Sequence, residues 1–109
     1  MLNSRQRAQL RAMANDYETI LQIGKMGLSD NTVKQVNDAL EARELIKLRV
    51  LETCPLSSRE AADQLSAETN SDVVQVIGSR FILYRESKDN KTIKLVKYYG
   101  FNRNFRWNF

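Results

Sequence analysis

Residues 18–51 read ETILQIGKMGLSDNTVKQVNDALEARELIKLRVL, and this stretch decides the fold. Segment 18–23 is rich in Ile and Leu and predicts a short strand. A turn bounded by glycines, 24–27, is followed by a pattern typical of an amphipathic helix that ends near Arg43. Segment 45–51 alternates apolar and basic residues and predicts a second strand. The stretch therefore predicts a β-α-β unit with a short glycine loop before its helix.

Alternation is clearest in the second strand of this unit. Ile46, Leu48 and Val50 share one face, and Lys47 and Arg49 lie on the other, because successive side chains of a strand point to opposite sides. In the preceding helix, Ser29 or Asp30 provides the N-cap and the apolar stripe is Val33, Val36 and Leu40. One face of the strand is therefore predicted to face the core and the other to be polar.

Similar signals extend outward in both directions. Asn3 or Ser4 is expected to cap a first helix to about Asp16, with an apolar stripe of Leu10, Met13, Ala14 and Tyr17. Ser57 with Glu60 forms a capping-box pattern that opens a third helix to about Thr69, with Ala61, Ala62 and Leu65 inside. Segments 72–77 and 80–85 predict a hairpin around Gly78-Ser79, and 93–96 predicts a short edge strand.

These elements give the order α-β-α-β-α-β-β. Steps of β-α-β favour parallel pairing with right-handed crossovers, and the final hairpin adds an antiparallel pair. We therefore predict an α/β fold: a two-layer domain with a mixed four-stranded sheet and helices largely on one face. Residues 1–96 form the predicted domain, and 97–109 a basic aromatic tail.

Composition excludes several function classes. The chain of 109 residues contains no histidine and one cysteine, Cys54. Internal disulfides and the usual zinc and nucleophile–histidine sites are thereby excluded, and the scattered carboxylates suggest no catalytic pair. We predict a protein that is not an enzyme and has no cofactor or metal. The N-terminal residues lack a continuous apolar run, so we expect no signal peptide, no membrane span and a cytoplasmic location.

Charge is distributed unevenly along the chain. The net charge is +4, yet residues 1–87 carry −1 and residues 88–109 carry +5. A basic protein favours acidic partners, but this body is nearly neutral. Nucleic-acid binding would therefore depend on local patches.

The loop Gly24-Lys25-Met26-Gly27 is the main candidate for such a patch. Glycines allow a phosphate to approach the backbone, and the following helix offers free N–H groups and the positive end of its dipole. Lys25 adds a charge, and Met26 a flexible apolar surface. KH modules hold a nucleic-acid backbone with a loop of the same Gly-x-x-Gly form. A strand-to-helix turn also needs glycine for conformational reasons alone, so the pattern by itself is ambiguous.

Several separate segments resemble the CRM domain, named for chloroplast RNA splicing and ribosome maturation, whose bacterial single-domain members are called YhbY-like proteins. These segments are ILQIGKMGL (20–28), ALEARELIKL (39–48), VQVIG (74–78), FILYR (81–85) and SRQR with LR in the first helix. The resemblance covers roughly residues 2–96. It departs from the family at Met26, a position that is more often small or polar there, and the tail extends beyond the usual end of the domain.

This resemblance implies a fold similar to the C-terminal domain of translation initiation factor three. It also implies RNA binding through the Gly-x-x-Gly loop and adjoining basic residues, with association to large-subunit (pre-50S) precursors. The expected RNA-binding residues, in a monomeric protein, are Gly24, Lys25, Met26, Gly27, Arg7, Arg11, Lys47, Arg49 and Arg80. From the residues alone, these arginines and Lys47 are also compatible with solvated helix and strand faces.

The tail leaves alternatives open. The chain contains nine Phe, Trp and Tyr residues. Six of them lie in the range 98–109, interleaved with Asn and Arg. Such a segment can stack on single-stranded bases, pack on protein or remain without structure. The alternative function is accordingly a protein-interaction module that uses this tail to bind a partner or to dimerise.

Overall fold

The computed structural model describes residues 2–96, so the tail 97–109 and the interpretations attached to it lie outside the described residues. The predicted order α-β-α-β-α-β-β and the mixed four-stranded sheet are confirmed. The helices are α1 (Ser4–Ala14), α2 (Asp30–Arg43) and α3 (Ser58–Thr69), and the strands are β1 (Leu21–Ile23), β2 (Leu45–Val50), β3 (Asp72–Ile77) and β4 (Arg80–Tyr84).

Each helix begins at a capping residue that the sequence marks. The Asn3 side chain accepts a hydrogen bond from the Gln6 N–H, and the Gln6 side chain accepts one from the Asn3 N–H. This reciprocal pair is a capping box. Ser29 caps α2 through the Thr32 N–H, and the predicted Ser57 capping box is present at α3. These side chains satisfy N–H groups that the first helical turn leaves without partners.

Strand order in the sheet is β1-β2-β4-β3. β1 pairs parallel with β2 as the β-α-β unit predicts, but β3 is not the neighbour of β2, because β4 lies between them and pairs antiparallel with both. Four of the five β4 residues, 81–84, are buried, whereas β3 includes the polar residues Asp72 and Gln75. A strand that is apolar on both faces is most stable in the middle of a sheet, and the more polar strand lies at the edge.

Two apolar clusters pack on opposite faces of the sheet. The larger cluster places α2 and α3 against Ile46, Leu48 and Val50, as predicted for these helices. The second places Leu10 and Ala14 of α1 against the other face. Two helices therefore cover one face, and α1 adds partial cover to the other.

Two expected strand segments differ from the structure. The first strand begins only at Leu21 rather than at Glu18. Segment 93–96 is not a strand: the Val96 N–H donates to the Gln9 side chain (2.7 Å), and the Gln9 and Gln6 amides donate to the Lys94 and Val96 carbonyls. Side chains of α1 therefore satisfy backbone groups that a sheet neighbour would otherwise have to satisfy.

A buried carboxylate, Glu44, fixes the return of the chain after the sheet. Glu44 is the C-cap of α2 with φ +67° and is fully buried. Its Oε1 accepts from the N–H groups of Thr92 (2.7 Å) and Ile93 (2.9 Å), and its Oε2 accepts from the Ser87 N–H (2.8 Å). Its carbonyl accepts from the Arg85 N–H. Glu44 thus ends α2 directly before β2 begins, and its hydrogen bonds fix the position of segment 85–93.

Glu41 and Arg85 extend this attachment. Glu41 Oε2 accepts from the Ser87 hydroxyl (2.7 Å) and from the Lys88 N–H (2.9 Å). The Arg85 guanidinium donates to Asn37 and to the Thr69 carbonyl. Because these contacts lie where β4 ends, the acidic side chains of this cluster are at the end of β4 opposite to Arg80.

We predict that Glu44→Gln lowers the free energy of unfolding by about 2 kcal/mol at neutral pH, since three backbone N–H groups lose a charged acceptor. Burial raises the pKa of Glu44, but the hydrogen bonds from Ser87, Thr92 and Ile93 outweigh burial, so the pKa lies below its ordinary value of 4.5. A lowered pKa stabilises the folded state above the unfolded pKa, and this stability is lost as the pH falls below about 4.5.

Urea unfolding of both proteins between neutral and acidic pH measures this effect. The variant should lose less stability on acidification than the unaltered protein. Glu68→Gln, at an exposed position of α3, is the matched control. Equal losses for the two variants at neutral pH would contradict the anchoring role of Glu44.

Candidate nucleic-acid interface

The Gly24–Gly27 loop is a closed turn between β1 and α2. The Gly27 N–H donates to the Gly24 carbonyl at 3.0 Å. Gly27 has φ +66°, is buried and lies against Pro55, whose Cγ would be 3.5 Å from an added Cβ. Lys25 and Met26 form the exposed tip, and the Met26 side chain is 82% exposed. The turn therefore presents one cation and one apolar side chain to solvent.

The two glycines have different roles. Gly27 needs its positive φ, a conformation that costs other residues about 1–2 kcal/mol. Gly24 has no positive φ, and an added Cβ would lie 3.8 Å from Leu51, an ordinary contact. Within residues 2–96, neither the backbone conformation nor a close contact therefore requires glycine at 24.

Donors for an anion at this loop are fewer than the sequence predicts. The Gly27 N–H is engaged within the turn, and Asp30 in the first turn of α2 offsets the positive end of the helix dipole. A phosphate at the loop would depend chiefly on Lys25 and on cations from neighbouring strands.

The register of the sheet places such cations at the same end. Gln22 pairs with Arg49, Arg49 with Arg80, and Arg80 with Ile77. Cα partners in a sheet project to the same face, so these four residues form a transverse row across all four strands on the α1 side. β1 enters the loop one residue after this row, since Ile23 is followed directly by Gly24. We call Gln22, Arg49, Arg80 and Ile77 the edge row.

Cations of the edge row and its neighbours are not neutralised by carboxylates. None of Lys25, Lys47, Arg49 and Arg80 forms an ion pair with another residue in the range 2–96. The Nε atom of Arg49 is buried and has no hydrogen-bond partner among those residues. A buried donor without an acceptor costs free energy, so no contact in this range compensates the placement of Arg49 on this face.

The two arginines of α1 lie at different distances from the edge row. The N-terminal end of α1 is near Tyr84, because Leu2 and Tyr84 belong to the same apolar cluster, and the C-cap residue Asn15 lies beside Lys47 and Gln75. With a rise of about 1.5 Å per residue, Arg7 is roughly 10 Å from Ala14 toward the N-terminus, whereas Arg11 lies in the last turn of the helix. The structure thus groups Lys47, Arg49 and Arg80 with the loop end of the sheet and leaves Arg7 further back along α1.

Sequence reasoning did not select Gln22, Gln75 and Ile77, which also lie on this surface. β3 contains an irregularity between Val73 and Gln75. As a consequence, the consecutive residues Val74 and Gln75 both lie on the α1 face of the sheet. Val74 packs in the cluster beneath the helix, and Gln75 lies beside Ile82. A bulge of this kind leaves no clear signal in the sequence, although the exposed position of Gln22 follows from strand alternation.

No helix in the described range 2–96 is long and apolar enough to cross a membrane. Within the same range, no group of three His, Cys, Asp or Glu residues is arranged to hold a metal ion.

The fold and this surface define a small α/β domain with an unpaired basic patch at one end of its sheet. Residues 2–85 match the family model of the CRS1 / YhbY (CRM) domain, so the chain belongs to that family. The resemblance noted from the sequence is thereby confirmed.

Individual relatives agree with this assignment. "Probable RNA-binding protein YqeI" of Bacillus subtilis is 45% identical over 95 residues, 87% of this chain and 99% of the relative. The "RNA-binding protein" of Haemophilus influenzae is 28% identical over 90 residues, 83% and 91% of the two chains. The solution structure of SAV1595 from Staphylococcus aureus is 48% identical, has a TM-score of 0.74, and matches 88% of this chain and 100% of that one.

We predict that Gly27→Ala lowers the free energy of unfolding by about 1 kcal/mol, because alanine is strained at φ +66°. Gly24→Ala, the matched control in the same turn, should change it by less than about 0.5 kcal/mol, since its Cβ meets no clash. Chemical denaturation of the two variants measures the difference. Equal destabilisation would contradict the division of roles between the glycines.

Proposed function

We propose that this protein binds RNA without catalysing a reaction on it, and that its target is large-subunit ribosomal RNA in an assembling (pre-50S) particle. One observation carries the RNA-binding proposal: unpaired Arg49 and Arg80 lie side by side in the edge row, at the end of the sheet from which the Gly24–Gly27 loop emerges.

The spacing of these cations suits a phosphate backbone. Neighbouring strands are about 4.8 Å apart, so Arg49 and Arg80 present two guanidinium groups on adjacent strands. Arginine recognises phosphate oxygens with paired N–H donors, and Arg80, which is exposed, lies directly beside Arg49 for such contacts. Lys47 on the same face and Lys25 at the loop tip would extend the contacts in two directions.

Other predicted residues have secondary parts in the proposal. Met26, exposed at the loop tip, offers an apolar contact for a sugar or base. Gly24 allows the RNA backbone close to the turn, and Gly27 maintains the shape of the turn. Arg7 and Arg11 on α1 would contact phosphates further along the RNA.

The names of the relatives support the RNA-binding part of the proposal. The Bacillus subtilis relative, which this chain covers almost entirely, is named as an RNA-binding protein. The bacterial members that the chain resembles are associated with large-subunit precursors, and this supports the proposed target. The absence of histidine from the sequence removes the commonest general base, and the proposal needs only binding groups.

We expect Lys25→Glu to weaken binding to a large-subunit ribosomal RNA fragment about tenfold and to reduce the slope of log affinity against log salt by about one. The reason is the loss of one phosphate contact. Lys91→Glu makes the same charge change in segment 85–96, beyond the far end of β4, and is the control. Electrophoretic shifts at increasing salt measure both quantities.

Affinity that does not change with salt, or equal losses for the two variants, would contradict the loop mechanism. A small-subunit RNA fragment of equal length tests the target in the same assay. Equal affinity for both fragments would contradict the proposed large-subunit target while leaving RNA binding itself intact.

A further inference from the structure

α1 covers only part of its face of the sheet. Leu10 and Ala14 pack on Leu45, Val74 and Ile82, and the helix ends at Ala14. Beyond this point, in the part of the chain that the structure describes, Ile77 in β3 is 61% exposed. The uncovered area lies between the end of α1 and the edge row.

A small open cleft of about 130 Å³ occupies this area. Phe81, which packs in the larger cluster on the other face, borders the cleft. The remaining lining residues are two aliphatic residues, two amides and two cations: Ile77, Ile82, Asn15, Gln75, Lys47 and Arg80. No carboxylate lines it. Pockets for drug-sized ligands measure about 300–1,000 Å³, so this cleft fits a group nearer the size of one nucleobase.

The polar groups of the cleft are available for a ligand. The side-chain amides of Asn15 and Gln75 make no hydrogen bond, and Lys47 and Arg80 no ion pair, with other residues in the range 2–96. An amide offers both donors and an acceptor, and this combination matches the mixed edge of a base. Ile77 and Ile82 provide an apolar surface against which its ring can lie.

The charges around the cleft favour one orientation of a bound nucleotide. α1 ends beside Asn15, and the partial negative charge at the C-terminal end of a helix, which Arg11 in the last turn offsets in part, gives a phosphate little attraction there. Arg80 and Arg49, on the opposite side, attract one. A nucleotide would therefore place its phosphate toward the edge row and its base toward Asn15 and Gln75.

We propose that this cleft binds a single unpaired nucleobase, so that the protein selects RNA with single-stranded nucleotides beside the phosphates held by the edge row. The inference rests on the proposed RNA binding and adds the class of RNA. In a duplex, the edges that Asn15 and Gln75 would read are paired or lie in a groove that side chains reach poorly.

Fluorescence anisotropy of the full chain with two labelled RNAs of equal length tests the proposal: one is a single strand without internal pairing, and the other is the same strand in a blunt-ended duplex with its complement. The unaltered protein should bind the single strand more tightly. Gln75→Ala and Ile77→Ala should each weaken single-strand binding about five- to tenfold and leave duplex binding within about twofold. Gln64→Ala, at an exposed position of α3 on the other side of the sheet, is the matched control.

Thermal unfolding of each variant establishes that it is folded. Equal effects of Gln75→Ala and Ile77→Ala on both RNAs, or no effect on either, would overturn the cleft proposal. If Lys25→Glu still weakened both RNAs in that case, RNA binding would stand without the cleft. An unaltered protein that binds neither RNA would overturn both proposals.

Discussion

The pleat of β2 is the constraint on which the rest of the structure depends. β2 pairs with β1 on one side and β4 on the other, so its alternation determines what lies on each face of the sheet. Ile46, Leu48 and Val50 enter the core beneath α2 and α3. Lys47 and Arg49 must then emerge on the α1 face, because a shift of one residue would bury both cations. The same pattern that builds the core therefore places the basic residues.

Because α1 covers only part of that second face, the basic residues on it remain accessible and form a candidate binding site. α1 buries Leu45 of β2 but ends before the edge row, so the cations near the loop keep their access to solvent. The acidic contacts of Glu41 and Glu44 are directed to segment 85–93, beyond the end of β4 opposite to Arg80. The unpaired cations of the edge row are thus separated along the sheet from the carboxylates of Glu41 and Glu44, and a polyanion would meet no carboxylate ion pair at Arg49 and Arg80.

Local features of the fold and the parallel pairing of β1 with β2 were predictable from the sequence, and the position of β4 in the sheet was not. The Ser57 capping box and the alternation of β2 depend on neighbours within a few residues, and both are confirmed. The insertion of β4 between β2 and β3 depends on which strand is apolar on both faces. For the site, Lys47 and Arg49 followed from alternation, whereas Gln75 is placed by an irregularity in β3. Whether these residues contact RNA stays a prediction.

Backbone amide shifts in a nuclear magnetic resonance titration with a single-stranded RNA fragment test the central claim most directly. The account predicts that the largest changes occur at residues 22–28, 47–50 and 75–81, where the loop, the edge row and the cleft meet. Segment 85–93, held by Glu41 and Glu44, should change little. Changes concentrated in that segment or on the exposed faces of α2 and α3, with the loop and edge row unaffected, would contradict the account.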